Sequence, residues 1–397
     1  MKALSLVSVT TSFAITLSIT NGVQAGIIRH DRSNTDYLNR ATLYPSVGRL
    51  QTVREGGIQG GFTVSTCSGT LISPSLVLTA AHCIEPFNTN LASFKTGYFT
   101  FNNVGSSNAT FYPIVGGVIK REYLSTPNRT AAVNMGFDIA ILRLFQDVSS
   151  VTPAELYTTT DENGRVGTYV GFGQSGDGYS GTNPNNLTPA GTKRAGRNRV
   201  WVQNPNLLGS DFDNPDLVGN TFYTDLFDGN PVPVPDEYHL APGDSGGGLF
   251  VGLGAEAKLA GVNSFVRDGD GNSSPTDYRD QSYATRVSSW TAWINNVKSY
   301  LTTTPAPTPT SWTNRFRTGD GNPSPVPVPT QIPVFPIADG SELMPYESAF
   351  DNLFEVALTE DNFSNTDVPA VPTPALLPGL IGLGLGLLRK RKTETEG

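Results

Sequence analysis

An all-β, loop-rich body is what this sequence predicts, on three observations. Between residues 41 and 266 the chain runs as short apolar segments broken by Gly, Asn, Asp and Pro. Gly and Pro number 42 and 29 among 397 residues, a supply of turn-formers that suits many short strands better than a helical bundle. Charged residues make up only 16% against 38% hydrophobic, so the chain can bury a sizeable core.

The predicted strands follow in order. Segments 70–78, 96–101, 114–119, 139–144, 166–172, 200–203, 248–252 and 258–265 are rich in β-branched and aromatic residues and are bounded by turn-formers. Antiparallel strands at this spacing imply a sandwich or a barrel. The first clear helix is expected late, over 287–301, where Val287, Trp290, Trp293, Ile294 and Val297 recur at helical intervals.

The ends have a different character. Lys2, a mostly apolar stretch over 4–19 and the small residues of Val23-Gln24-Ala25 read as an export signal over 1–25. Export puts Cys67 and Cys83 where a disulfide persists, and two Cys with three His are too few and too badly spaced for structural zinc. The body is then expected to span 26–301. Residues 302–370 read as a Pro/Thr-rich and then acidic linker, with one short helix possible over 347–358. Segment 371–397 holds Val371-Pro372-Thr373-Pro374-Ala375, an apolar run over 375–388 and the basic cluster Arg389-Lys390-Arg391-Lys392. Its order of Pro motif, apolar run and basic tail resembles the PEP-CTERM class of envelope-sorting signals, in the PTPA variant. That resemblance implies a sorting protease acting on the tail and a tether through 375–392. The plainer alternative is a weak membrane anchor, short of the roughly 20 residues a spanning helix needs. A net charge of −8 gives no reason to expect nucleic acid, nor an anionic membrane surface bound through the body.

Three segments carry chemistry. Leu78-Thr79-Ala80-Ala81-His82-Cys83 ends a strand in small residues that leave room for an imidazole to face a cleft. Phe137-Asp138-Ile139-Ala140-Ile141-Leu142 sets a lone carboxylate before an apolar strand, where a buried acid needs a donor such as an imidazole N–H. In Gly243-Asp244-Ser245-Gly246-Gly247-Gly248 the glycines permit a sharp turn that exposes a hydroxyl beside free N–H groups. Taken singly, each has a plainer reading: a structural His, a strand-edge Asp, a Gly-rich loop. Their joint occurrence in an exported chain, in the order His, Asp, Ser, outweighs these.

The three segments resemble the signatures of the chymotrypsin/trypsin-like serine peptidases. Gly261-Val262-Asn263-Ser264-Phe265 is similar to the strand lining that family's specificity pocket, and Thr285-Arg286-Val287 with Trp293-Ile294 to the entry of its closing helix. The resemblance spans about 41–300. It implies two six-stranded antiparallel β-barrels with a C-terminal α-helix, and an active site in the cleft between the barrels. It further implies a catalytic triad of His82, Asp138 and Ser245, an oxyanion hole from the N–H groups of Gly243 and Ser245, a Cys67–Cys83 disulfide, peptide or protein substrates, and neither metal nor organic cofactor. Gly243 to Gly247 also fits the G-x-S-x-G nucleophile elbow, but that fold runs Ser, acid, His and alternates strands with helices.

Departures from the family pattern fall at the substrate and activation sites. His239 stands where trypsin-like enzymes carry an Asp, and Val266 where a Gly is frequent, so preference for Lys or Arg is not expected. His239 either meets an acidic side chain or fills the pocket base; filling is favoured. Ala241 replaces a Cys. The residue matching Asp244 pairs, in the family, with an amine freed by cleavage. Here the amine of Gly26 after signal removal and a nearby Arg are both candidates. Asp268-Gly269-Asp270-Gly271-Asn272 spaces oxygen side chains as calcium loops do, but Ser273 and Arg279 break the pattern and a flexible loop is expected. The expected function is an exported or surface-tethered serine endopeptidase. Its rival is a protease-like surface binding or scaffold protein of weak catalysis.

Overall fold

The computed structural model describes residues 26–55, 62–84, 94–182, 190–218, 232–272 and 276–303, together with the backbone at 312–314 and 327–329. The expected export signal, most of the linker, its possible helix and the sorting segment lie outside the described residues. No helix among the described residues is long and apolar enough to cross a membrane.

In chain order, the body opens with strand β1 (Gly26–Ile28) and helix α1 (Asn34–Ala41). Ser33 caps α1 by accepting the N–H of Thr35, and Tyr37 and Ala41 form its buried face. This early helix was not expected from the sequence. Only eight residues long, it shows too little periodicity to register, and it owes its place to tertiary burial. Strands β2 (Val47–Glu55), β3 (Phe62–Ser73), β4 (Leu76–Thr79), β5 (Phe94–Thr100), β6 (Tyr112–Ile119), two short helices α2 (Arg121–Ser125) and α3 (Arg129–Asn134), and β7 (Ala140–Leu144) follow. The six strands close into a barrel in the order β2-β3-β4-β7-β6-β5. The single strand expected over 70–78 is two strands, because the chain reverses at Pro74-Ser75 so that Leu71 faces Val77.

The second half contains β8 (Val166–Gly171), β9 (Ser175–Asp177), β10 (Arg194–Arg199), β11 (Trp201–Asn204), β12 (Leu207–Asp211), β13 (Tyr238–His239), β14 (Gly248–Val251), β15 (Lys258–Arg267) and β16 (Gln281–Arg286). Seven of these form one antiparallel sheet, β10-β8-β14-β15-β16-β12-β11. A separate sheet, β13-β1-β9, holds the N-terminal strand between two segments of this half. The mostly-β, two-barrel architecture is therefore present, with one correction. The second unit is a seven-stranded sheet rather than six closed strands. Asn198 on β10 donates its side-chain N–H to the carbonyls of Asp211 and, at 3.3 Å, Tyr238, so a side chain bridges where a closed ladder would use backbone.

Helix α4 (Val287–Thr303) closes the body. Val287, Ile294, Val297 and Leu301 are buried in the same core cluster as barrel residues such as Leu78 and Ile141. Lys298 caps the fit by donating to the carbonyl of Ile72 at 3.0 Å. Strand β7 is apolar apart from Arg143 and shows no alternation, the pattern expected of a strand covered on both faces. Within the Pro-rich stretch, 312–314 and 327–329 pair as a short antiparallel ribbon, which a Pro-containing segment can join only as an edge.

Candidate active site

His82 sits in a single 3-10 turn, Ala81–Cys83, that ends β4. Apolar β4 is pinned between β3 and β7, so the residue that follows it emerges at a fixed place on the barrel rim. The disulfide joins Cys67 on β3 to Cys83, as expected, and ties that turn to the neighbouring strand.

Asp138 precedes β7 and is fully buried. Its carboxylate takes the His82 backbone N–H at 2.9 Å on Oδ1 and the ring Nδ1 at 2.7 Å on Oδ2. The Ser264 hydroxyl donates to the same Oδ2. Burial alone would raise the Asp138 carboxyl, but the His82 charge and these donors outweigh it and hold the group below its ordinary value. An ionised carboxylate can only accept, so Nδ1 carries the hydrogen and Nε2 is left as the ring's basic nitrogen.

Ser245 arrives from the other half, on the turn before β14. Its carbonyl accepts the N–H of Ser68 at 2.8 Å and lies 3.6 Å from Cys83 Sγ, so this turn rests against the disulfide beside His82. Gly246 shows how close the fit is: at φ +82°, a Cβ there would stand 2.1 Å from Thr79 Oγ1 and 2.3 Å from the carbonyl of Ser68. The next glycines are held from β15, with the Gly246 N–H donating to the carbonyl of Asn263 at 2.7 Å. Gly243 adopts φ +101°, a conformation that favours glycine, and its carbonyl accepts the Ser68 hydroxyl at 2.9 Å. The same hydroxyl takes the Phe172 N–H at 2.9 Å. His82 and Ser245 are both part-exposed at this junction.

Ser68 is the residue that sequence reasoning missed. It sits in the Cys67-Ser68-Gly69-Thr70-Leu71 run upstream of the His82 segment, and only the folded register turns its hydroxyl toward Gly243. Ser264, expected at the substrate pocket, donates its hydroxyl to Asp138 Oδ2. His239 is fully buried on β13, with Nδ1 at 2.8 Å from the Ser282 hydroxyl and its ring stacked on Phe212. Val266 lies part-buried on β15 opposite Ser282.

Asp244 is fully buried and accepts three hydrogen bonds, from Gly173 N at 2.7 Å, Ala241 N at 3.0 Å and the Tyr238 hydroxyl at 3.1 Å. The buried Gly26 donates its N–H to the carbonyl of Gln174. Away from this site, Asp268, Asp270 and Asp280 bring carboxylate oxygens within 4.8 Å of one another, a grouping in which Asp280 was not foreseen. Backbone N–H groups of Gly271, Asn272, Gly269 and Asp277 already bond to these carboxylates.

An imidazole oriented by a buried carboxylate therefore lies near a serine-bearing glycine turn at the junction of two β units. A family model described as Trypsin matches residues 46–212, a span that includes His82 and Asp138. The human chymotrypsin-like elastase family member 1 is 29% identical over 245 residues, covering 60% of this chain and 83% of that protein. Its rat counterpart is 28% identical over 249 residues, covering 61% and 82%. A solved structure of neuropsin, a serine protease expressed in the limbic system of mouse brain, aligns with a TM-score of 0.42 at 17% identity, over 64% of this chain and 95% of that one. The chain is thus similar to trypsin over residues 46–212 and, at 29% identity, to a chymotrypsin-like elastase.

Proposed function

We propose that this protein is an exported serine endopeptidase that cleaves peptide bonds through His82, Asp138 and Ser245. The observation that carries the reading is the 2.7 Å contact of His82 Nδ1 with a fully buried, ionised Asp138, beside the turn that bears Ser245. In this mechanism Nε2 of His82 takes the Ser245 proton as the hydroxyl attacks the carbonyl carbon, and later returns it to the leaving amine. Asp138 holds the tautomer and stabilises the imidazolium. The N–H groups of Gly243 and Ser245 receive the oxyanion, a contribution worth about 10²–10³ in rate per donor. Water then releases the acyl group by the same steps in reverse.

At the substrate side, His239 fills the base of the pocket, engaged with Ser282 and Phe212, and the preference is for P1 side chains other than Lys and Arg. Export through 1–25 and retention at the envelope through 371–397, with trimming by a sorting protease, complete the proposal. The export reading is in keeping with the disulfide.

The test is labelling with a fluorophosphonate probe. Labelling of the processed protein that vanishes in both Ser245→Ala and His82→Ala is the expected result. Folded, processed protein that takes no label sinks the peptidase reading and leaves a binding or scaffold role.

A further inference from the structure

The turn that carries Ser245 has to be held from behind, and the side chain behind it is Asp244. Its carboxylate draws together Gly173 from one loop and Ala241 from the start of the turn itself. The third donor is a side chain, the Tyr238 hydroxyl at 3.1 Å. Tyr238 lies on β13, is fully buried, and packs beside Tyr37 of α1 at 6.3 Å between ring centroids. Its hydroxyl is also covered by β1: a Cβ on Gly26 would stand 1.9 Å from Tyr238 Oη, so only glycine lets the strand cross there. Burial and the Asp244 charge push the phenol well above its ordinary value, so the group is an O–H donor at every working pH.

On the peptidase reading, we propose that Tyr238 is a positioning residue for the Ser245 turn, fixing the ionised Asp244 carboxylate that sets residues 241–245. The groups facing Asp244 are Tyr238 from β13, the Arg194 guanidinium from β10, and the N–H groups of Gly173 and Ala241. Arg194 is itself buried and donates through Nε to Asn34 at 2.6 Å. Burial lifts the Asp244 carboxyl to about 6 against the pull of these four. Removing one donor to the charged form therefore lifts it further, and the turn loses its ionised anchor over a wider acidic range.

The experiment is Tyr238→Phe in the full chain, checked by thermal melting and read three ways. The kcat on a peptide substrate falls about tenfold, as expected for one lost hydrogen bond to a charge, with KM within about threefold. The acidic limb of the kcat/KM profile moves to higher pH. The amides of Gly173 and Ala241 exchange with solvent about tenfold faster, because their acceptor is less firmly held. Placing 3-fluorotyrosine at 238 restores the donor and returns all three readouts toward the unmodified protein. If Tyr238→Phe does not fold, the fluorotyrosine protein decides alone: its more acidic hydroxyl must move the acidic limb to lower pH, and an unmoved limb overturns the proposal. Unchanged kcat and amide protection in Tyr238→Phe, or a loss confined to KM, overturns it equally. Should the unsubstituted protein take no fluorophosphonate, the peptidase reading falls by itself, and the amide exchange still decides whether Tyr238 holds the turn.

Discussion

Residues 47–144 and residues 166–286 solve the same problem, the rigid display of a few side chains, with different materials. The first closes six strands into a barrel around Val47, Leu50, Leu71, Leu78, Phe99 and Ile141, all essentially without solvent exposure. Its buried polar groups are mostly single hydroxyls such as Thr52, Thr70 and Thr79, with Asp138 as the buried acid. The second leaves its sheet open and buries Arg194, Asn198, Asp211, Glu237, His239, Asp244 and Asp280. The barrel is held by packing, which is tolerant of which apolar residue does the work. The open sheet is held by specific partners, and its polar network shapes the turn that presents Ser245.

The largest effect falls where the two meet. Asp138→Asn would place an amide N–H against Nδ1, forcing the hydrogen onto Nε2 and removing the basic nitrogen that the proposed mechanism uses. A fall in kcat of about 10⁴ is expected with little change in melting temperature, measured by steady-state kinetics and calorimetry. A loss of under tenfold would show that Asp138 is only a structural acid of the barrel.

Next comes the ion pair that anchors α4 to the second half. Arg286 meets Glu162 through Nε at 3.0 Å and through a second nitrogen at 2.5 Å, with the Ser288 hydroxyl at 2.7 Å on the same carboxylate. Glu162 is fully buried, so Arg286→Ala strands a charge and costs about 3–5 kcal/mol by denaturant unfolding. Replacing both by apolar residues of similar size recovers most of that loss, which no barrel core substitution would do. Burial opposes but does not cancel the Arg286 and Ser288 bonds, so the Glu162 carboxyl lies below its ordinary value. Its contribution is then fully present above the unfolded carboxylate value and fades as pH falls through the folded one. A Glu162→Gln protein should accordingly differ most from the parent at neutral pH and converge with it in acid.

The same contrast explains what was legible from the sequence. Strands β7 and β14 and helix α4 announce themselves through apolar pattern, and His82, Asp138 and Ser245 through their local contexts. The polar half hides more. Strands β10 and β12 carry Arg, Asn, Gly, Ser and Asp on buried faces, so no alternation marks them. Strand β1 has three residues, too short for any period. Ser68 matters through partners 104 and 175 positions away, which no local window contains, whereas Tyr238 and Asp280 bond within 11 positions through turns that no apolar pattern marks.

Opening the disulfide would weaken both halves through one bond. Cys67 and Cys83 are 16 positions apart, and a loop of that size is worth about 3 kcal/mol when cross-linked. Replacing both by Ala should lower stability by that order. It should also lower kcat at temperatures where the protein is still folded, because Cys83 supports the His82 turn and touches the Ser245 carbonyl. Stability loss without any rate effect at such temperatures would mean that the barrel alone fixes His82.

The smallest expected effect is also the one that separates two roles for a single residue. Ser264 falls in the segment that resembles a pocket-lining strand, yet its hydroxyl points to Asp138 Oδ2. If it serves the acid, Ser264→Ala removes one donor to a buried charge, a loss of about tenfold in kcat that is uniform across peptides with different P1 side chains. It should also raise the Asp138 carboxyl, since one of the bonds that favours ionisation is gone. If instead the side chain lines the pocket, KM should change and change unevenly from peptide to peptide. Kinetics on a small panel of P1 variants therefore tells whether the second half, beyond presenting Ser245, also reaches across to tune the barrel's own acid.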